Sequence, residues 1–210
     1  MLTLTVSSDQ PESEVIATAV QLLRAGGVVA YPTDTLYGLA VDPRLDEAVE
    51  KLFDVKGRAE RQAIPLIAAS LDQVLMAGEL GETELRLARE FWPGPLTIVV
   101  PARPGVSARI LAGGRTLAIR VPAHPIARAL AAGLGSPITS TSANLSGTAA
   151  PASPRELDPA ITATIDAVID SGSAPGGLPS TIVSMTAGGL QLVRAGAIAW
   201  DRVLRSAEEP

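Results

Sequence analysis

The sequence predicts an α/β fold in which a single domain carries a twisted mixed sheet flanked by helices. Three observations predict it. Short apolar runs with strand character alternate with amphipathic helical segments along the chain. No composition break, internal repeat or long linker separates them. The last two strand segments are joined through Ala187-Gly188-Gly189, a hairpin signal, so part of the sheet is antiparallel. At 210 residues, one domain is the natural partition, and it should bury roughly 70% of its unfolded surface.

Each element has its own signal. Leu2–Val6 alternates as a first strand. Pro11–Ala25 places Val15, Ile16, Ala19, Leu22 and Leu23 on one helical face and stops at Gly26-Gly27. Val28–Tyr31 is a short buried strand ended by Pro32. Asp46–Asp54 is a helix with Ala48, Val49, Leu52 and Phe53 together. Ile64–Ala69 is a buried strand, and Leu71–Met76 and Glu82–Phe91 are helices, the second halted by Trp92-Pro93-Gly94-Pro95. Leu96–Val100 and Leu117–Val121 are strands. Pro125–Ala132 is a helix with proline in its first turn. Ile138–Ser140 is a strand opening into a Ser/Thr-rich loop. Ala167–Asp170, Thr181–Met185 and Leu190–Arg194 are strands, and Ala197–Arg205 is a last helix. The segment Ser146–Arg155 has the least pattern and reads as a cover loop, and the tail from Ser206 as frayed.

Composition excludes several kinds of chemistry. There is no cysteine, which removes disulfides, zinc-thiolate sites, iron–sulfur clusters and a cysteine nucleophile. The one histidine, His124, leaves no multi-histidine metal site and makes a Ser-His-Asp hydrolase a poor fit. Aromatics are 3% of the chain, so platforms for stacking nucleic-acid bases are scarce. A net charge of −5 gives little overall drive toward a polyanion. The sequence shows neither a basic start followed by an apolar run nor an 18-residue apolar stretch. The expectation is therefore a cytoplasmic protein with no membrane partner.

Six segments concentrate the polar chemistry. Tyr31-Pro-Thr-Asp-Thr-Leu-Tyr-Gly-Leu39 follows a strand, where ligands sit in α/β sheets; a capped turn through Asp34 or Thr35 is the alternative. Lys56-Gly57-Arg58 sets two cations one residue apart, suited either to phosphates or to a solvated helix end. Arg120 ends a buried strand and needs a carboxylate, from a ligand or from an internal Asp or Glu. Thr139-Ser-Thr-Ser-Ala-Asn144-Leu-Ser-Gly147 offers hydroxyls and amides that hold phosphate or ribose oxygens. Leu178-Pro-Ser180-Thr-Ile-Val183 and Leu192-Val-Arg194-Ala-Gly196 each put a polar residue at a strand edge. Neither GxxxxGK[ST] nor GxGxxG is present, so any nucleotide is held differently.

Taken in this order, from about Ala30 to Gly196, the six segments resemble the threonylcarbamoyl-AMP synthase family, the YrdC-like domain. The resemblance implies a single YrdC-like domain over residues 1–210, with a core of about 10–200 and no additional C-terminal domain. It implies a nucleotidyltransferase that makes threonylcarbamoyl-AMP and pyrophosphate from L-threonine, bicarbonate and ATP. Magnesium is expected on the ATP phosphates, with no metal ligands from the protein. A downstream transferase complex would carry the threonylcarbamoyl group to tRNA, with at most weak tRNA contact by this chain. The alternative is a YrdC-like module that grips RNA without making the adenylate.

The roles implied residue by residue are these. Thr33, Arg120 and Ser180 are similar to contacts with threonine. Lys56 and Arg58 match the cationic pair at the phosphates and carry the catalytic expectation. Thr116, Ser140, Ser142, Asn144, Ala150 and Arg194 match positions around the nucleotide, and Gln62 stands where an asparagine is usual. The run Ala59 to Ala63 is longer than the family pattern, Ala68 or Ala69 replaces a customary histidine, and Ala195 replaces a common proline.

Overall fold

The computed structural model describes residues 1–57 and 62–208. The expected mixed α/β class holds, but the strands sort into two sheets. In chain order the elements are β1 (Leu2–Thr5), α1 (Ser13–Arg24), β2 (Val29–Tyr31), β3 (Gly38–Ala40), α2 (Asp46–Lys56), β4 (Leu66–Ile67), α3 (Leu71–Ala77), α4 (Glu82–Phe91), β5 (Leu96–Pro101), β6 (Thr116–Arg120), α5 (Pro125–Leu134), β7 (Ile138–Thr139), β8 (Thr141–Ser142), α6 (Pro159–Thr162), β9 (Ala167–Asp170), β10 (Thr181–Thr186), β11 (Gly189–Arg194) and α7 (Trp200–Glu208).

One sheet runs β1-β9-β2-β3-β8 and the other β11-β10-β5-β6-β4-β7. In the first, β9 is parallel to both β1 and β2, and β3 is antiparallel to β2 and β8. In the second, β10 is parallel to β5 and antiparallel to β11, as the Gly188-Gly189 turn requires. The chain changes sheet at Ser140, because β7 belongs to one sheet and β8 to the other. Thr139 fastens this seam: its hydroxyl donates to Leu39 O at 3.0 Å and accepts from Val41 N at 2.9 Å.

Successive side chains of a strand face opposite ways, and β2 buries both faces. Ala30 enters a large core with Leu39, Leu52, Leu66, Ile98 and Ile119. Val29 and Tyr31 enter a second core beneath α1 and α5, with Leu23, Ile126 and Leu130. Burying such side chains is worth about 1.5–3 kcal/mol each, which is how a chain poor in aromatics stays folded.

The boundary differences have local causes. Helix α7 begins at Trp200 rather than Ala197 because the preceding chain is bent and hydrogen-bonded to the start of β10. Ala197 N donates to Pro179 O at 2.9 Å, and the Thr181 hydroxyl exchanges hydrogen bonds with both the N–H and the carbonyl of Ile198. The tail read as frayed continues α7 to Glu208. Helix α5 carries His124 as N-cap, runs to Leu134 and ends on Gly135 at φ 77°. No helix among the described residues is long and apolar enough to cross a membrane.

Candidate active site

A cavity of about 510 Å³ opens at the seam between the sheets. Thr33, Arg120, Ser140, Ser142, Asn144, Ala150, Ser180 and Arg194 all line it, so eight of the residues singled out in the sequence meet there. They are separated by up to 161 positions in the chain and come from the loop after β2, the end of β6, the seam, and the β10–β11 ribbon.

The segment after β2 is a hydroxyl-capped turn. Thr33 Oγ1 donates to Leu36 O at 2.7 Å and accepts from the N–H groups of Thr35 (3.1 Å) and Leu36 (3.2 Å). Neighbouring chain holds the turn in place, through Tyr37 N to Pro151 O at 2.9 Å and Gly176 N to Thr35 O at 2.8 Å. Ser146–Arg155, read as a cover loop, is thus tied to the rim of the site, and Thr148 and Ala150 line the cavity.

Arg120 takes an internal carboxylate. Its Nη1 donates to Asp34 Oδ1 at 2.5 Å, and the other oxygen of Asp34 accepts from Ala123 N at 3.3 Å. The pair is buried, with side chains 5% and 11% exposed. Arg120 Nη1 also reaches Gly94 O at 3.4 Å, while its Nε and Nη2 have no acceptor among the described residues. That leaves half of a carboxylate-binding fork unused beside the cavity. Gly94 is needed here because a Cβ at this position would stand 2.4 Å from Phe91 O.

Arg194 approaches from the opposite strand pair. Its Nη2 donates to Ser180 O at 2.8 Å and to Ser180 Oγ at 3.1 Å. Desolvation of its guanidinium, with the Arg120 charge nearby, pushes its pKa down. Ser180 Oγ in turn lies 2.8 Å from Thr97 Oγ1. The β11 exit fits against this cluster because residue 196 is glycine: a Cβ would lie 2.3 Å from Pro179 O.

Lys56 lies behind the lining, 4% exposed. Its ammonium donates to Ser142 O at 2.5 Å, Asn144 O at 2.8 Å and Asn144 Oδ1 at 3.4 Å. The Ser142 hydroxyl donates to Asn144 Oδ1, and Asn144 Nδ2 donates to the carbonyls of Leu145 (2.9 Å) and Thr148 (2.6 Å). Lys56 therefore organises the loop after the seam.

Besides Lys56, two described residues named from the sequence, Thr116 and Gln62, do not join the lining. Thr116 opens β6 against Pro101, four residues from Arg120 and exposed. Gln62 is exposed and outside it, and Arg58 lies outside the described residues. His124 is an N-cap: its Nδ1 accepts from Ile126 N at 3.3 Å, and burial lowers its pKa. At the place of the customary histidine, Ala69 N donates to Gln73 Oε1 at 2.7 Å.

Sequence reasoning missed Thr97, although one hydroxyl in the apolar run Leu96–Pro101 was a signal. It also left open which carboxylate Arg120 meets, which is Asp34 from the first motif. Among the described residues no group of three or more His, Asp or Glu is placed to hold a metal ion.

Comparison with known proteins places this geometry among relatives. The Sua5/YciO/YrdC family model, described as "Telomere recombination", matches residues 21–196. Threonylcarbamoyl-AMP synthase of Bacillus subtilis is 36% identical over 200 residues, covering 94% of this chain and 57% of that protein. The chain thus spans little more than half of that relative. The crystal structure of Pyrococcus abyssi Sua5 complexed with L-threonine superposes with a TM-score of 0.94 at 33% identity, over 100% of this chain and 62% of that one. Escherichia coli YciO superposes with a TM-score of 0.86 at 29% identity, over 95% and 98%.

Proposed function

The chain belongs to the YrdC/Sua5 threonylcarbamoyl-AMP synthase family, and from that premise we propose that it forms threonylcarbamoyl-AMP and pyrophosphate from L-threonine, bicarbonate and ATP. The observation that carries the reading is the charge of the cavity. Arg120 and Arg194 both line it, no acidic side chain among the described residues does, and the chain as a whole is at −5. A site that concentrates cations on an acidic protein favours anionic ligands, here a carboxylate and a polyphosphate.

In this reading the threonine carboxylate takes the open Nε and Nη2 of Arg120, with Thr33 and Ser180 beside it. The threonine amine attacks the carbon of bicarbonate or its dehydrated form, making the N–C bond of a carbamate with loss of water or a proton. A carbamate oxygen then attacks the α-phosphorus, and the bond from that phosphorus to the bridging oxygen breaks as pyrophosphate leaves. Arg194, Ser140, Ser142, Asn144 and the main chain at Ala150 surround the nucleotide. Lys56 and Arg58 supply positive charge on the phosphate side, Lys56 through the loop it holds. Thr116 and Gln62 stand as nucleotide contacts by resemblance only.

In this reading magnesium enters as part of the ATP substrate; the described lining offers guanidinium, hydroxyl, carboxamide, apolar and main-chain groups. No side chain is required as acid or base. Placing the reactants together is worth about 7–11 kcal/mol of the barrier, and the cations stabilise the leaving charge. The product would pass, in the cytoplasm, to a transferase acting on tRNA.

The test is pyrophosphate release with each substrate omitted in turn. Release is expected only when ATP, L-threonine and bicarbonate are all present, and without tRNA. Equal release without threonine overturns the reading.

A further inference from the structure

Thr97 is 2% exposed in β5, yet it lines the cavity, and Ser180 is its one hydrogen-bond partner among the described residues. Ser180 Oγ also takes an N–H from Arg194 Nη2 at 3.1 Å, and arginine can only donate. The proton between the two hydroxyls can lie either way. If Ser180 donated to Thr97, the Thr97 proton would be left without a protein acceptor at a nearly closed position, which is costly. If Thr97 donates, the two hydroxyls leave a single proton without a partner among the described residues. Both lone pairs of Ser180 Oγ are then occupied, by Thr97 and Arg194, and the Ser180 proton faces the cavity beside the open N–H groups of Arg194.

We propose that Thr97 is a positioning residue that makes Ser180 a donor-only hydroxyl, so that the ligand atom it meets is an acceptor oxygen and, on the threonine side of the site where Ser180 stands, a carboxyl-type one. An ammonium or amide N–H finds no acceptor there. The inference rests on the proposed function for its ligands: the carboxyl-type oxygens available are those of threonine and of bicarbonate with its carbamate. Thr97 acts only through Ser180 and touches no reacting atom.

The experiment compares Thr97→Val, which keeps the branched shape without the hydroxyl, with Thr97→Ser, which keeps the hydroxyl. Thr97→Val is expected to raise KM for L-threonine or for bicarbonate about tenfold, the scale of one hydrogen bond, with KM for ATP within about twofold of wild type. A rise for threonine alone identifies its carboxylate; a rise for bicarbonate alone identifies the carbamate oxygen. Thr97→Ser should return KM to within about threefold. In a Ser180→Ala background, Thr97→Val should add nothing, because residues acting through one group are not additive. Unchanged KM values, failure of serine to rescue, or full additivity would overturn the proposal.

Should the valine variant not fold, Thr97→Ala takes its place in the same comparison. If wild-type protein releases no pyrophosphate in response to threonine, the proposed function falls separately. The inference is then read from acetate binding by calorimetry, expected to be about tenfold weaker in Thr97→Val and overturned by equal affinity.

Discussion

On one flank of the cavity, the loop from Thr139 to Asn144 satisfies its polar groups from within: Lys56 bonds the carbonyls, Asn144 bonds two more, and Ser142 bonds Asn144. On the opposite flank, Arg120 and Arg194 are held by one edge each, through Asp34 and Ser180, and keep N–H groups without an acceptor among the described residues. On the first flank Lys56, Asn144 and the Ser142 hydroxyl are already bonded within the protein. The second keeps donors open, an arrangement that suits an anion. A site so divided has one wall that sets shape in advance and another that supplies the binding charge.

The sharpest way to break the contrast is Arg120→Ala. It removes the open fork and leaves Asp34 buried without its cation, so kcat/KM for threonine should fall about 10²–10³-fold. Stability should fall too, and steady-state kinetics with urea unfolding separates the two. Arg120→Lys, with charge but no fork, should recover stability better than threonine affinity.

Lys56→Met tests the self-satisfied wall. It leaves Ser142 O and the two oxygens of Asn144 without their shared donor and should cost about 2–3 kcal/mol in urea unfolding. Lost ATP use at unchanged stability would mean that Lys56 serves the ligand directly and that the two flanks are alike.

Gly196→Ala probes the charged wall through its backbone. The added Cβ has no room against Pro179 O, so the chain must shift beneath Ser180 and Arg194. A cost of about 1–3 kcal/mol is expected, with a larger drop in turnover than in melting temperature.

The smallest effect is that of pH on His124. Burial outweighs the opposing charges of Asp34 and Asp9 and holds its pKa below the ordinary 6.5. The unfolded chain therefore binds this proton first. The contribution is fully present above pH 6.5 and is lost as pH falls through that value toward the folded one. His124→Asn, an uncharged cap, should flatten this part of the stability curve, whereas His124→Ala should cost about 1 kcal/mol at neutral pH.

Legibility in the sequence followed the range of the interactions. Helix α4 and strand β9 stand where their patterns put them, since periodicity over Glu82–Phe91 and an apolar run at Ala167–Asp170 are local properties. Strand β3 escaped because Gly38–Ala40 is too short for a period and forms by pairing with β2 and with β8, about a hundred residues on. The division into two sheets was hidden for the same reason, since the chain passes between them after β3, at Ser140 and after β9. The motifs supplied most of the lining. They did not supply Thr97 or the choice of Asp34 for Arg120, which depend on which strand ends lie opposite each other.

The pairing of β1 with β9 fixes Leu2 opposite Ala167. During synthesis the first strand therefore emerges long before its neighbour exists and spends that interval with an unpaired edge. The β3–β8 and β5–β10 ladders close loops of roughly a hundred and eighty residues respectively, so neither sheet can finish early. Such long-range closure slows folding. The helices α1 and α5 also meet only late, so α1 must wait with its apolar face exposed. A chain ending before Arg194 would hold every strand of the first sheet, an unfinished edge on the second, and a cavity short of one of its two lining arginines. The cavity is thus among the last parts of the protein that can come into being.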